Sequence, residues 1–123
     1  MEKDPNGLSA HTPGAKLDAG KSRPALVLGG FAPALLEVAG IGSAGALKYS
    51  PDGWKSVVNG VERYADAAMR HWLAHQSETL DPDSGQRHLS HCAWNILAVL
   101  TLQIAAEKMA QQSAEPFEAE QRG

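Results

Sequence analysis

The sequence has one cysteine, few aromatic residues and no long apolar run. The lone cysteine, Cys92, excludes a disulfide within the chain and is typical of a reducing compartment, so we expect a cytoplasmic location. The longest apolar-rich stretch, residues 93–106, is too short and too interrupted to span a bilayer, and no apolar run follows Met1 as in a signal peptide. These scarcities argue against a secreted or membrane-anchored protein.

A strong charge of either sign is also missing. The formal net charge is −3 and the pI is about 5.9, so no general attraction to nucleic acid or to an anionic membrane is expected. Any contact with phosphates must come from a local basic site. A chain of 123 residues forms one small domain that buries little surface by itself. We therefore expect a homo-oligomer, either a dimer or a tetramer.

The sequence contains no repeat and no strand pattern, which predicts an all-α fold. We expect a small bundle of three main helices, completed by oligomerisation and preceded by an extended N-terminal arm. The helices are predicted at Pro33–Leu47, at Val61–Gln76 after Asn59 as N-cap, and at Pro82–Gln111 after Asp81 as N-cap. The domain should cover residues 16–112, between a flexible N-terminus (1–15) and a flexible acidic tail (113–123).

Apolar positions at three- and four-residue spacing predict which helix faces form the core. Small residues between Ala39 and Ala46 should allow the first helix to pack closely on a neighbour. The second helix is expected to bury Ala65, Ala68, Met69, Trp72 and Leu73. The third helix is expected to bury Leu89, Ala93, Ile96, Leu97, Leu100 and Ile104, with Cys92 as a small core residue.

Most residues capable of chemistry lie between Arg63 and Asn95, and Glu62 directly precedes this stretch. Glu62 and Asp66 are four residues apart on a helix, a spacing at which two carboxylates can share a hard cation such as Mg²⁺. Alternatively, they form a solvated face paired with Arg63 and Arg70. The sequence leaves both interpretations open.

Histidines and acidic residues are concentrated around the turn at residues 81–85. His88, His91 and Asn95 share one side of the third helix. Asp81 and Asp83 lie where helix amides favour anions, although capping alone would explain them. His71 and His75 have zinc-ligand spacing but lack the glutamate of the zinc-protease motif, so internal hydrogen bonding of His71 is favoured.

Two further segments could contact a ligand. The loop after the first helix holds Lys48, Tyr49 and Trp54; its aromatic rings either bind a ligand or close the end of the core. The basic N-terminal segment carries Lys21 and Arg23, which either form a solvated arm or fold over an anion.

Four motifs together resemble a known family. They are Lys16–Arg23 (KLDAGKSR), Ala44–Tyr49 followed by Trp54 (AGALKY…W), Arg63–His71 (RYADAAMRH), and residues 81–95 (DPDSG…HLSH…N). In this order and near this spacing they resemble the phage dATP/dGTP diphosphohydrolase N-terminal domain family, related to the MazG-like all-α nucleotide pyrophosphohydrolases. The resemblance covers residues 16–100.

The resemblance implies an oligomeric helical domain that hydrolyses dATP or dGTP to the monophosphate and pyrophosphate in the host cytoplasm. It also implies Mg²⁺ or Mn²⁺ as cofactor, because such ions polarise phosphate and activate water. The catalytic residues would be Glu37, Glu62 and Asp66, which with Asp83 would hold the metal. The nucleotide would be bound by Lys21, Arg23, Lys48, Tyr49, Trp54, Arg63, Arg70, His71, His88, His91 and Asn95.

The chain departs from the family pattern just before Glu37. Where the family has further glutamates, this chain has Pro33–Leu36. Fewer carboxylates would hold metal less tightly. This departure favours an alternative, a phage protein that binds a nucleotide or a cyclic-nucleotide immune signal without cleaving it and so acts as an anti-defence sponge.

Overall fold

The computed structural model describes residues 2–122, with side chains described to residue 114. The helices are α1 (Pro24–Gly30), α2 (Ala32–Lys48), α3 (Gly60–Ala74) and α4 (His88–Arg122), with one 3₁₀ turn at Gly53–Ser56. Within residues 2–122 there is no strand, only an isolated antiparallel bridge between Leu80 and Arg87. The all-α prediction is confirmed.

The helix boundaries match the predictions for α2 and α3 to within two residues, but α1 was missed, and both the start of α4 and its predicted end at Gln111 are wrong, since α4 continues to Arg122. The chain between Asp81 and Gly85 forms a turn, and α4 begins at His88 rather than at Pro82. The backbone amide of Asp81 donates to the carbonyl of Gln86 at 2.8 Å, and the backbone amide of Gly85 donates to the carbonyl of Asp81 at 2.7 Å. These bonds close the loop across itself instead of starting a helix.

The chain divides into two compact units, Met1–Ala32 and Pro33–Gly123. In the first unit the carboxylate of Asp4 organises the turns, because it accepts hydrogen bonds from the amides of Asn6 and Lys16, each at 2.7 Å. Lys21 forms an exposed ion pair with Glu2 at 2.9 Å, and Arg23 is exposed. The predicted flexibility of residues 1–15 stays a prediction.

In the second unit, α3 and α4 form an antiparallel hairpin. The start of α3 meets the middle of α4, where a Cβ added to Gly60 would lie 3.0 Å from Leu102. The end of α3 meets the start of α4, where His71 and His88 are hydrogen-bonded. Asn59 is the N-cap as predicted, but it adopts a left-handed backbone (φ 56°) and its side chain makes no capping bond. Asparagine tolerates this conformation better than most residues do.

The α2 helix approaches α4 through its small residues. A Cβ added to Gly42 would lie 3.2 Å from the indole Nε1 of Trp94, and one added to Gly40 would lie 3.2 Å from the amide oxygen of Gln86. The only buried residue of α2 is Ile41. The neighbours of these two glycines are the ends of long side chains, and half of the residues from Ala39 to Ala46 are exposed, so the predicted close packing of this half of the helix is not found within the chain.

The predicted core faces are largely wrong. Of the five apolar positions expected to be buried in α3, only Ala68 is fully buried. On α4 the buried residues are His88, Ser90, Cys92, Asn95 and Ala98, whereas the predicted large apolar residues stay about half exposed. The prediction fails because α3 packs on the small and polar side of α4. Cys92 is in the core as predicted, and burial raises the pKa of its thiol.

Within His88–Ala114 of α4 a window of 18 residues has a mean hydropathy of 1.4, so this segment is long and apolar enough to cross a membrane by length and composition alone. The core helix of a soluble protein meets the same criteria. The expectation that this chain does not bind membranes stays a prediction.

Two glycines of α2, one turn apart, allow a direct test of this packing. Alanine at Gly45 would meet no atom within 4 Å, so Gly45→Ala should stabilise the chain by about 0.5–1 kcal/mol through helix propensity. Alanine at Gly42 would press on Trp94, so Gly42→Ala should be less stable than Gly45→Ala by about 1 kcal/mol or more. Urea unfolding measures both; equal gains would contradict the close contact.

Candidate functional site

The loop between α3 and α4 is held in a defined shape by side chains as well as by its backbone. The carboxylate of Asp81 accepts a hydrogen bond from the amide of Ser84 at 3.3 Å, and the hydroxyl of Ser84 accepts one from the amide of Gln86 at 3.2 Å. Gly85 has φ of 73°, which glycine adopts without strain. The amide of His88 donates to the carbonyl of Thr79 at 3.0 Å, which sets the start of α4.

Three imidazoles meet where this loop joins the two helices, and we call His71, His88 and His91 the histidine cluster. Nδ1 of His71 lies 2.9 Å from Nδ1 of His88, and the rings of His71 and His91 stack at 4.5 Å with 9° between their planes. His88 is buried, and its Nε2 lies 3.0 Å from a carboxylate oxygen of Glu78. A carboxylate only accepts, so Nε2 of His88 donates to Glu78.

The outer side of the cluster resembles a serine–histidine–aspartate set in composition but not in geometry. Nε2 of His91 lies 2.7 Å from the hydroxyl of Ser84 and 3.6 Å from a carboxylate oxygen of Asp81. Both groups therefore face the same ring nitrogen. In a catalytic triad the carboxylate must orient the other nitrogen, so the arrangement does not activate Ser84 as a nucleophile.

The cluster is poorly solvated. Burial lowers the pKa of His71, and repulsion from His91 lowers it further. Burial also lowers the pKa of His91, against the opposing attraction of Asp81. For Asp81, burial acts to raise the pKa, but hydrogen bonds from Ser84 and from backbone amides outweigh it, so the pKa lies below its usual value. For His71 and His91 the neutral imidazole is therefore favoured, next to an ionised Asp81.

The candidate metal ligands are not brought together. Glu37 accepts a hydrogen bond from Nε of Arg87 at 3.2 Å and a longer one from the hydroxyl of Ser90 at 3.4 Å. Glu62 and Asp66 lie on exposed positions of α3, and Asp83 is exposed in the loop. No three His, Cys, Asp or Glu side chains within the described part of the chain are arranged to hold a metal ion.

The basic residues of the second unit are exposed. Arg63 donates through Nη1 to the carbonyl of Val58 at 3.2 Å, and Arg70 and Lys48 lie at the surface. Among the side chains described, no ion pair joins Arg63 or Arg70 to Glu62 or Asp66. The alternative interpretation, in which Glu62 and Asp66 pair with arginines on a solvated face, is therefore not supported by an ion pair among the described side chains.

The aromatic residues separate into a packed group and an exposed ring. Trp54, Tyr64 and Trp94 meet edge to face with ring centres 5.5–6.4 Å apart, and the hydroxyl of Tyr64 donates to the carbonyl of Trp54 at 2.8 Å. Tyr49 is 77% exposed, with the amine of Lys48 5.2 Å from its ring centre. Of the two loop aromatics, Trp54 is packed in this group and Tyr49 is exposed.

A shallow apolar groove of about 240 Å³ runs beside the packed aromatic group. Its lining comes from α2, the 3₁₀ turn and α4, namely Val38, Ala39, Gly42, Trp54, Trp94, Leu97, Ala98 and Thr101. A flat apolar ligand group such as a base would find apolar walls here, although the basic residues named above do not line the groove.

The structure thus joins some of the predicted site residues and separates others. It brings His71, His88 and His91 together. The side-chain amide of Asn95 (Nδ2) donates to the backbone carbonyl of His91 at 2.8 Å inside α4. Lys21 and Arg23 belong to the first unit. Four contributing residues were missed: Glu78, Ser84, Arg87 and Ser90. No sequence signal links Arg87 to Glu37, because they are 50 positions apart.

Comparison with known proteins gives one match. Residues 11–112 match the family model described as dATP/dGTP diphosphohydrolase, N-terminal, which covers most of the chain and confirms the resemblance to that family. Neither the curated proteins nor the solved structures include a match.

The histidine cluster makes the stability of the chain depend on pH. Because the pKa values of His71 and His91 are lowered in the folded chain, the unfolded chain binds more protons as the pH falls through about 6.5. The contribution of these two histidines to stability should therefore be complete above that pH and decline as the pH falls below it. Urea unfolding at a series of pH values measures this slope.

Replacing one member isolates the contribution of the cluster. His71→Gln keeps a hydrogen-bond donor towards His88 but cannot titrate, so its unfolding should depend less on pH than that of the unchanged chain. His11→Gln removes an exposed histidine of the first unit and is the matched control. An unaltered slope in His71→Gln would show that the cluster does not cause the dependence.

Proposed function

The chain belongs to the dATP/dGTP diphosphohydrolase N-terminal family, and on that basis we propose that it hydrolyses dATP or dGTP to the monophosphate and pyrophosphate. The observation that carries this proposal is the family match over residues 11–112. The match concerns an N-terminal domain, so the reaction itself is the part that needs testing.

Exposed basic and aromatic groups of the second unit support nucleotide binding. Lys48, Arg63 and Arg70 are cationic and at the surface, and the planar guanidinium suits bidentate contacts with phosphate. The open ring of Tyr49 offers a face on which a purine can stack. Trp54 packs against Tyr64 and Trp94, so we assign it to supporting the groove rather than to stacking on a base.

The buried members of the predicted binding set fit a supporting role better than direct contact. His88 and Asn95 are buried and hydrogen-bonded within the hairpin, so neither presents a free edge to a nucleotide in this conformation. His91 is less enclosed and lies beside Ser84 at the loop surface. We propose that this network fixes the α3–α4 loop beside the ligand.

A Mg²⁺ or Mn²⁺ ion would supply charge neutralisation and an activated water. The described residues of one chain do not form a complete set of ligands for it. Glu62 and Asp66 have the spacing to approach one cation together, whereas Glu37 is engaged by Arg87 and Ser90. The carboxylates of one chain, in the positions they have here, therefore do not form a complete site for the ion.

A second candidate function follows from the same observation. Because Glu37 is paired with Arg87 and the carboxylates stay apart, the chain could bind a nucleotide or a cyclic nucleotide without cleaving it. Such a protein would act as a sponge in the host cytoplasm, with an anti-defence role if it is encoded by a phage. Binding needs the cationic and aromatic groups but not the metal set.

Product analysis separates the two candidates. The full chain is incubated with dGTP or dATP and Mg²⁺ or Mn²⁺, and pyrophosphate and monophosphate are measured. We expect release of both products in equal amounts.

Glu62→Gln and Asp66→Asn should each lower turnover by at least roughly 100-fold if they support the reaction, since such losses are typical of groups that act on the transition state.

Glu107→Gln is the matched control, because it removes a carboxylate from an exposed position of α4 outside the proposed site. Recovery of intact nucleotide from a tight complex, without pyrophosphate, would overturn the enzyme proposal in favour of the binding candidate. Full turnover by both Glu62→Gln and Asp66→Asn would instead disprove the roles given to these two carboxylates.

A further inference from the structure

Arg87 is the last residue of the loop between α3 and α4, and its backbone is held from both sides. It forms the antiparallel bridge with Leu80, and its carbonyl accepts hydrogen bonds from the amides of Ser90 and His91 at 3.1 and 3.2 Å. None of these bonds involves the side chain of Arg87. The point from which the side chain leaves the backbone is therefore fixed, and replacing the side chain leaves these bonds in place.

The side chain of Arg87 is held at one nitrogen only. Its Nε donates to Oε1 of Glu37 on α2 at 3.2 Å. A guanidinium also carries N–H groups on both terminal nitrogens. Among the described residues, neither terminal nitrogen of Arg87 donates to a partner, and the side chain is 56% exposed. The terminal N–H groups are therefore available to a ligand.

Arg87 differs in this respect from the other cationic residues. Among the lysines and arginines described in the second unit, it is the one whose side chain is held by another helix. Arg63 donates to the carbonyl of nearby Val58, and Lys55 pairs with Asp52 within one turn. A guanidinium held in one orientation loses less freedom when it binds a second partner, and its planar fork matches two oxygens of one phosphate group.

Glu37 has both of its carboxylate oxygens engaged by the start of α4. Oε1 accepts from Arg87, and Oε2 accepts from the hydroxyl of Ser90, which is buried. A divalent cation on the same oxygens would stand beside the positive guanidinium, and like charges at short range repel each other. In the described part of the chain, Glu37 belongs to no group of three side chains that could hold a metal ion.

The ion pair between Arg87 and Glu37 adds little to the stability of the chain. The two side chains are 56% and 46% exposed, and water weakens the attraction between charges so exposed. The main physical effect of the pair is therefore to orient the guanidinium beside the α3–α4 loop.

We propose that Arg87 binds a phosphate group of the nucleotide, and that Glu37 positions the guanidinium instead of holding a metal ion. This rests on the nucleotide binding proposed above, to which it adds a phosphate-contacting residue beside the α3–α4 loop. It departs from the expectation, drawn from the family resemblance, that Glu37 is a metal ligand. The departure follows from the donors that occupy both carboxylate oxygens.

Binding of inorganic tripolyphosphate in the presence of EDTA tests Arg87. This anion has the phosphates of a nucleotide without its base or sugar, and the chelator removes divalent ions. Titration calorimetry with the full chain gives the dissociation constant. Arg87→Gln should weaken binding by at least roughly 10-fold, because it removes charge-assisted hydrogen bonds. Lys108→Gln is the matched control and should bind normally, since Lys108 is exposed roughly 30 Å further along α4.

Arg87→Lys keeps the charge but not the planar fork, so it should also weaken binding, and it replaces Arg87→Gln if that variant does not fold. Equal affinity of Arg87→Gln and the unaltered chain would overturn the role of Arg87. So would the absence of tripolyphosphate binding by the unaltered chain.

Two uncharged substitutions of similar size test the positioning role of Glu37. Glu37→Gln keeps an oxygen that accepts from Nε of Arg87, whereas Glu37→Leu has none. Both remove the same charge, so the difference between them reports the hydrogen bond alone. Glu37→Leu should bind tripolyphosphate at least roughly 3-fold more weakly than Glu37→Gln, and the difference should vanish when Arg87 is also replaced by Gln. Equal binding by the two single variants would contradict the positioning role.

Manganese binding without nucleotide, followed by electron paramagnetic resonance of free Mn²⁺, tests whether Glu37 holds a metal ion. Glu37→Gln should bind Mn²⁺ as the unaltered chain does, and absence of binding by both agrees equally with the proposal. A loss of affinity of roughly 10-fold or more in Glu37→Gln would show that Glu37 is a ligand and would overturn its assignment.

These measurements are independent of the reaction. Weaker tripolyphosphate binding by Arg87→Gln supports the role of Arg87 whether or not the chain cleaves dGTP. Conversely, a chain that releases pyrophosphate from dGTP but binds tripolyphosphate equally well with and without Arg87 would keep the proposed function and overturn the role of Arg87.

Discussion

The hydrogen bond between His71 and His88 is the contact on which the second unit depends. Two imidazole nitrogens 2.9 Å apart share one hydrogen, so at least one ring must be neutral. This bond joins the end of α3 to the start of α4, and Glu78 and the stacked ring of His91 complete the junction. The shape of the loop between the two helices depends on how these two helix ends are joined.

The hairpin determines what the rest of the unit can do. α3 packs on the small and polar side of α4, and α2 contacts a second side of α4 at its glycines. In this position Glu37 of α2 accepts hydrogen bonds from Arg87 and Ser90. The carboxylate that the family resemblance makes central is thereby engaged in an ion pair, apart from Glu62 and Asp66 on α3. The third side of α4 keeps its large apolar residues about half exposed.

Much of the fold was predictable from local signals. Helical periodicity located α2 and α3, and Asn59 marked the start of α3. The start of α4 was not predictable in this way, because Asp81 and Pro82 are equally suited to a turn, and only the pairing of Leu80 with Arg87 selects it. The core face of α4 was mispredicted since periodicity shows which side is apolar but not which partner covers it.

The sequence by itself determined the all-α class, the position of two helices, the concentration of histidines and carboxylates between residues 62 and 95, and the motifs that identify the family. These depend on composition and on neighbours within a few positions along the chain. The tertiary structure alone decided that three histidines share one junction, that Glu37 meets Arg87, and that the large apolar residues of α4 stay about half exposed. Each of these depends on which sides of two helices meet, although the helices are tens of residues apart in the sequence. The spacing of apolar residues along one helix does not specify which partner covers it.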